Sequence, residues 1–152
     1  MRKRNLLLPV MILCFLLAAC QMETPYSMPA VGTPRTLVGK DTVKIVSAQI
    51  NDGEITLVLE LDFQELTFSD LTDIYVRKAE AKALHIPYDE AQAKIDNSEN
   101  AFTQPYSGEI KLVFRHESIS GEHKGIDYCF YLTYPGNDGR NSAIDFSLEG
   151  AP

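Results

Sequence analysis

Three histidines, His85, His116 and His123, are the imidazoles from which a nucleophilic mechanism would have to draw its base. Ser118, Ser120 and His123 lie close in sequence, but Gly121 and Gly125 beside them read as a polar loop, and no nucleophile elbow is present. His116 and His123, with Glu117 and Glu122, offer metal-ligating types at spacings wider than the paired ligands of zinc sites, so a solvated loop is expected. Asn137-Asp138-Gly139, with Asn141 and Asp145, carries oxygen ligands suited to calcium. It lacks the alternating carboxylates and closing glutamate of a calcium loop and reads as a turn. Asp89-Glu90, or Asp70 with Asp73, would serve a glycosidase only if they faced each other across a cleft. With 21 acidic residues in the chain, neighbouring carboxylates are expected as a solvated face. No catalytic residue, cofactor or metal ligand is therefore assigned, and the chain is not expected to be an enzyme.

Cys20 is the one residue whose surroundings specify a chemistry. Met1-Arg2-Lys3-Arg4 is a cationic start, Leu6 to Leu17 an almost unbroken apolar run, and Ala18-Ala19 the small pair that a processing site needs. The run is shorter than the about 20 residues a membrane-spanning helix takes. Positions 1–20, closing on Leu17-Ala18-Ala19-Cys20, resemble a bacterial lipoprotein signal. The resemblance implies that 1–19 is a signal peptide cut off between Ala19 and Cys20, and that Cys20 takes a diacylglycerol through its sulfur, with acylation of the new amino group. Several chains on one residue give a lasting hold, since each buried methylene contributes about 0.8 kcal/mol. It also implies a cell-envelope location. Gln21 is not the aspartate that favours inner-membrane retention, which leans toward the periplasmic leaflet of the outer membrane in a double-membraned cell. In a single-membraned cell the location is the outer face of the plasma membrane.

Processing would leave 133 of the 152 residues, enough for one domain. Three of the 14 basic residues lie in the signal and all 21 acidic ones outside it, so the processed chain carries 11 against 21, a formal charge of −10. That balance excludes the basic footprint of nucleic-acid binding and makes a cationic partner the one electrostatics would steer. Cys14 leaves with the signal and Cys20 goes to lipid, so no internal disulfide is expected and Cys129 reads as a small buried hydrophobe.

These groups must be held by strands. Residues 20–40, with Pro25, Pro29, Pro34, Gly32 and Gly39, read as a lipidated flexible tether reaching at most about 60 Å. The domain is expected over 41–152. Ile55, Leu57, Leu59, Leu61 and Phe63 alternate with Thr56, Val58, Glu60 and Asp62, the period of a half-buried strand. Val43 to Ile50 precedes it across Asn51-Asp52-Gly53-Glu54, where glycine supplies the positive φ of a tight hairpin turn with a bulge. The period returns at Ile110 to Phe114, Ile126 to Tyr134 and Ile144 to Leu148, with a loop over Pro135 to Ser142. Asp73 to Lys78 and Lys82 to Ile86 read as a short hairpin, a helix being the rival. Tyr88 to Ile95 suits one short helix, and Asp96 to Ser107 a loop.

The fold expected is all-β, an antiparallel two-sheet sandwich of immunoglobulin-like type with room for one short helix. That topology would set Glu60 and Asp62 near Lys111 and Arg115 on a solvent face. With Tyr128 and Tyr134 inward beside Phe130, Tyr131 points outward next to Asp127 and Thr133, where Tyr75 can join it in a patch suited to a sugar or a protein. The function expected is a non-catalytic binding or assembly module for another envelope protein, anchored in lipid through Cys20. The alternatives are a small-ligand or glycan binder using Tyr88 to Ser107 and Pro135 to Ser142, and a cell-wall hydrolase for which no residues stand out.

Overall fold

The computed structural model describes residues 28–122 and 125–150; Leu17, Ala18 and Ala19, expected from sequence as the processing motif, Cys20, expected to carry lipid, and His123 lie outside the described residues. Two antiparallel sheets of four strands make up the domain. One holds β1 (Arg35–Thr36), β2 (Thr42–Asn51), β3 (Glu54–Asp62) and β6 (Ser107–Arg115), in that order. The other runs β5 (Ile86–Pro87), β4 (Thr72–Lys78), β7 (Tyr128–Pro135), β8 (Asn141–Ser147). The sets β2-β3-β6 and β4-β7-β8 occupy the places of strands A-B-E and C-F-G of an immunoglobulin domain. Two short helices, α1 (Glu90–Asp96) and the single-turn α2 (Asn100–Thr103), fill the crossover from β5 to β6.

Alternation decides which side chains meet between the sheets. Ile55, Leu57, Leu59 and Leu61 of β3 and Ile110, Leu112 and Phe114 of β6 point inward, against Tyr128, Phe130 and Leu132 of β7 and Ile144 and Phe146 of β8, all buried. The rings of Phe114 and Phe130 meet edge to face across the sandwich at 6.1 Å. Each such apolar side chain contributes about 1.5 to 3 kcal/mol by leaving water. The Tyr128 hydroxyl, carried into this core, accepts from the backbone N–H of Ser120 at 3.0 Å.

The β2–β3 hairpin closes on the two residues Asp52 and Gly53, with Gly53 at φ 77°. The bulge sits away from the turn, between Ile45 and Ser47. The expected second hairpin keeps its first arm as β4, but its second arm shrinks to Ile86–Pro87, with a turn at 82–83 and irregular chain at 84–85 in place of strand. Residues 96–107, expected as a loop, contain α2.

Charge pairing on the outer face differs from expectation. Register follows the inward rows Ile55↔Phe114, Leu57↔Leu112 and Leu59↔Ile110, which sets Glu60 opposite Glu109 and Asp62 opposite Ser107. Glu60 instead takes Lys44 at 2.8 Å, Arg115 takes Glu54 at 3.0 Å, and Lys111 reaches Asp96 of α1 at 3.3 Å.

Residues 28–40, read from sequence as part of the tether, belong to the sandwich. Pro29 accepts from the Ser147 N–H at 2.9 Å, the Gly32 N–H reaches the Ile45 carbonyl at 2.7 Å, and Leu37 and Val38 are buried. Proline and glycine content suggested a linker, yet the two apolar residues close the end of the core. No helix among the described residues is long and apolar enough to cross a membrane.

Candidate functional site

The groups weighed for catalysis have local tasks in the fold. Asp70 accepts from Thr67, from its N–H at 2.7 Å and its hydroxyl at 2.8 Å, closing the 3-10 turn Phe68–Asp70. Asp89 caps α1 through the Gln92 N–H at 2.9 Å and also pairs with Arg115. His116 Nδ1 lies 2.8 Å from the Ser118 hydroxyl, two residues away in the same turn. Asp138 accepts from the Arg140 N–H at 3.0 Å within the β7–β8 turn. Asp145 is bound to Arg77 at 3.1 Å. Among the described residues, no three His, Cys, Asp or Glu side chains are gathered as a metal site would require. Burial raises the Cys129 thiol pKa, with Asp145 adding to the effect, so the thiol stays protonated and unreactive.

What the fold does assemble is a pair of adjoining clefts. The first, about 650 Å³, lies between the turn at Phe68 and the helices α1 and α2, and is lined by Phe68, Leu71, Tyr88 and Phe102, with Glu90, Lys94 and Glu99 at its rim. The second, about 540 Å³, runs along β4 and β5, with Asp73, Tyr75, His85 and Pro87 in its wall; Leu71, Tyr88 and Glu90 belong to both. Both lie within the size range of small-molecule and peptide side-chain pockets.

The walls are aromatic because of where each element ends. The 3-10 turn delivers Phe68, whose buried ring meets Phe102 of α2 at 5.2 Å and Tyr88 at 6.1 Å, both edge-on. Ser69 fixes α2 from the same turn by donating to the Phe102 carbonyl at 2.7 Å. Tyr88 is held beside β6 by an isolated bridge to Phe114. In the second cleft, Tyr75 stacks on His85 at 3.9 Å and on Tyr131 at 4.6 Å, three near-parallel rings on the outer face of the sheet. Tyr131 and Tyr75 thus stand where alternation put them. A bulge in β4 between Thr72 and Tyr75 carries Asp73 at φ 49°, a left-handed conformation uncommon outside glycine. The Thr133 hydroxyl, donating to Asp73 at 3.2 Å, holds that residue in place. Strain of this kind gathers at ligand sites.

Two phenols have raised pKa values. At Tyr88 burial is the larger cause and the Glu90 carboxylate adds to it; at Tyr75 burial leads and Tyr131 follows. Both are neutral hydrogen-bonding rings near pH 7. Glu90, Glu99 and Lys94 are exposed and form no ion pair with a described residue.

Of the two loops singled out for ligand binding, 88–107 lines the first cleft, whereas no residue of 135–142 lines either. Sequence reasoning missed Phe68 as a site residue, held Phe102 and Glu99 only as part of the 88–107 loop, and weighed His85 only as a catalytic base. The signal for Phe68 was Thr67 three residues before Asp70, a helix-start pattern that fixes the ring's direction. No family model, curated protein or solved structure matches this chain.

Proposed function

We propose that this chain is an envelope lipoprotein, anchored through Cys20 after loss of 1–19, whose sandwich is a non-catalytic binding module that grips another envelope protein through the aromatic clefts. The observation that carries the reading is the partly exposed aromatic surface of Tyr88, Phe102, Tyr75 and Tyr131 near Glu90 and Glu99, exposed carboxylates that form no ion pair with a described residue. Aromatic anchors in a concave, partly desolvated setting are the residues on which protein interfaces concentrate their energy. Asp70, Asp89, Asp138 and Asp145 close turns, cap a helix or pair with a cation, which favours recognition over turnover. The membrane sequence signal supports the anchor, and an outer-membrane periplasmic leaflet is the favoured location where the host has two membranes.

The anchor is tested by metabolic labelling with an alkyne fatty acid: the native chain takes the label and partitions with membranes, and Cys20→Ala does neither. Benzoylphenylalanine at position 102, photolysed in living cells, is expected to give one discrete adduct. The same probe at position 56, on the outer face of the opposite sheet, is expected to give none. Equal adducts from both positions would defeat the assignment of the clefts.

A further inference from the structure

We infer that the groove formed by the two clefts receives an arginine-bearing peptide segment of the partner; the inference rests on the binding-module reading and adds to it the chemistry recognised. Charge is the first argument. Glu90, Glu99 and Asp73 line the clefts against the single cation Lys94, within a chain of formal charge −7. An anionic ligand meets repulsion there, and a neutral sugar gains nothing from the imbalance. Geometry is the second. Elsewhere on the sandwich Lys44, Arg77, Lys111 and Arg115 are each engaged by a carboxylate. Glu90 and Glu99 are left open at the mouth of an aromatic cleft.

Guanidinium is the cation that uses both features at once. Its plane stacks on aromatic faces and its fork donates two parallel N–H groups to a carboxylate, whereas an ammonium offers only a point charge. Tyr88 presents a ring with Glu90 within Coulombic reach of its hydroxyl. On the far side, His85 stacks on Tyr75, which stacks in turn on Tyr131, and Asp73 lines the same cleft as His85 and Tyr75. An extended segment with two arginines can therefore set one side chain in each cleft, across the residues Leu71, Tyr88 and Glu90 that the clefts share.

The test uses the full-length chain in detergent micelles and the fluorescent probe peptide Gly-Arg-Phe-Gly-Arg-Gly, read by anisotropy. Saturable binding is expected. It should disappear with citrulline in place of both arginines, which keeps shape and removes charge. It should weaken roughly tenfold with Glu90→Gln and Glu99→Gln together, exposed changes that leave the core untouched. Raising salt from about 0.1 M to about 1 M, which shortens the Debye length from about 10 Å to about 3 Å, should weaken it further. Glu109→Gln, on the opposite sheet, is the control and should change nothing. Equal binding of the citrulline peptide, or unchanged affinity in the double variant, overturns the inference. So does binding of chitotetraose with no binding of the arginine probe, which would mark the groove as a glycan site. If position 102 gives a discrete adduct in cells while the probe fails to bind, arginine recognition falls and the binding-module reading stands; if position 102 gives no adduct, that reading itself falls.

Discussion

The carboxylate of Asp41 accepts the backbone N–H of Leu66 at 2.6 Å across 25 residues, and the same carboxylate takes Gln64 at 2.7 Å and Glu65 at 3.2 Å. Asp41 is fully buried, so three successive amides of the β3–β4 loop form a cradle for one anion at the root of β2. Asp41→Ala leaves those donors without an acceptor in a place water reaches poorly, at an expected cost of about 3 kcal/mol. Asp41→Asn keeps one accepting oxygen but turns an NH₂ toward other donors, and should cost about half as much. Urea denaturation with an unchanged m-value would establish both as losses of stability. Equal stability of native and Ala forms would show the cradle to be incidental.

A second side chain stands in for a missing strand. Asn97 accepts the Lys111 N–H at 2.7 Å and donates to the Lys111 carbonyl at 2.8 Å, closing part of the outer edge of β6, while the Asp89 N–H covers the Val113 carbonyl at 2.7 Å. Unpaired edges recruit other chains. Asn97→Ala is expected to lose about 1 to 3 kcal/mol and to raise light scattering in proportion to protein concentration. Loss of stability without association would mean that Asp89 alone is enough to guard the edge.

Strands with one buried face were legible because a period of two leaves no other face for Leu57, Leu59 or Phe130, and Tyr131 followed as their outward neighbour. Asp41 was illegible because its partners lie 23 to 25 residues on. β1 spans only two residues and α2 four, too few for any period, so 28–40 looked like tether and 100–103 like loop. Phe68 and Phe102, 34 positions apart in the chain, meet only because the β5–β6 crossover folds back over the β3–β4 loop. Register was illegible for a related reason: alternation fixes which face Glu60 occupies, not which residue it meets.

Asp96 marks the acid limit of α1. The Gln92 amide donates to its Oδ1 at 2.9 Å, and with Lys111 close by, these contacts hold the carboxyl pKa below its usual 3.8. A carboxylate depressed in the folded state adds stability above its unfolded pKa, and that contribution fades as pH falls through the folded value. Gln92→Leu removes the leading cause, so the Asp96 midpoint should rise in a carboxyl carbon NMR titration. No movement would assign the depression to Lys111 instead.

The alkaline limit lies in the clefts. The phenols of Tyr88 and Tyr75 are raised above 10.0, chiefly by burial. A phenol is neutral when protonated, so a raised folded pKa means that the folded chain holds these protons more tightly than the unfolded one. Their contribution to stability is whole below about pH 10 and is lost as pH climbs through the folded values. Phenolate absorbance should therefore show two tyrosines titrating late, with unfolding releasing them early. Glu90→Gln removes the lesser cause at Tyr88 and should bring its midpoint down only part of the way, leaving Tyr75 unmoved. An arginine probe seated beside Tyr88 acts in the same direction, since a cation favours phenolate, and should lower that midpoint in native chain but not when citrulline replaces arginine. A Tyr88 midpoint indifferent to the probe would place the guanidinium somewhere other than against this ring.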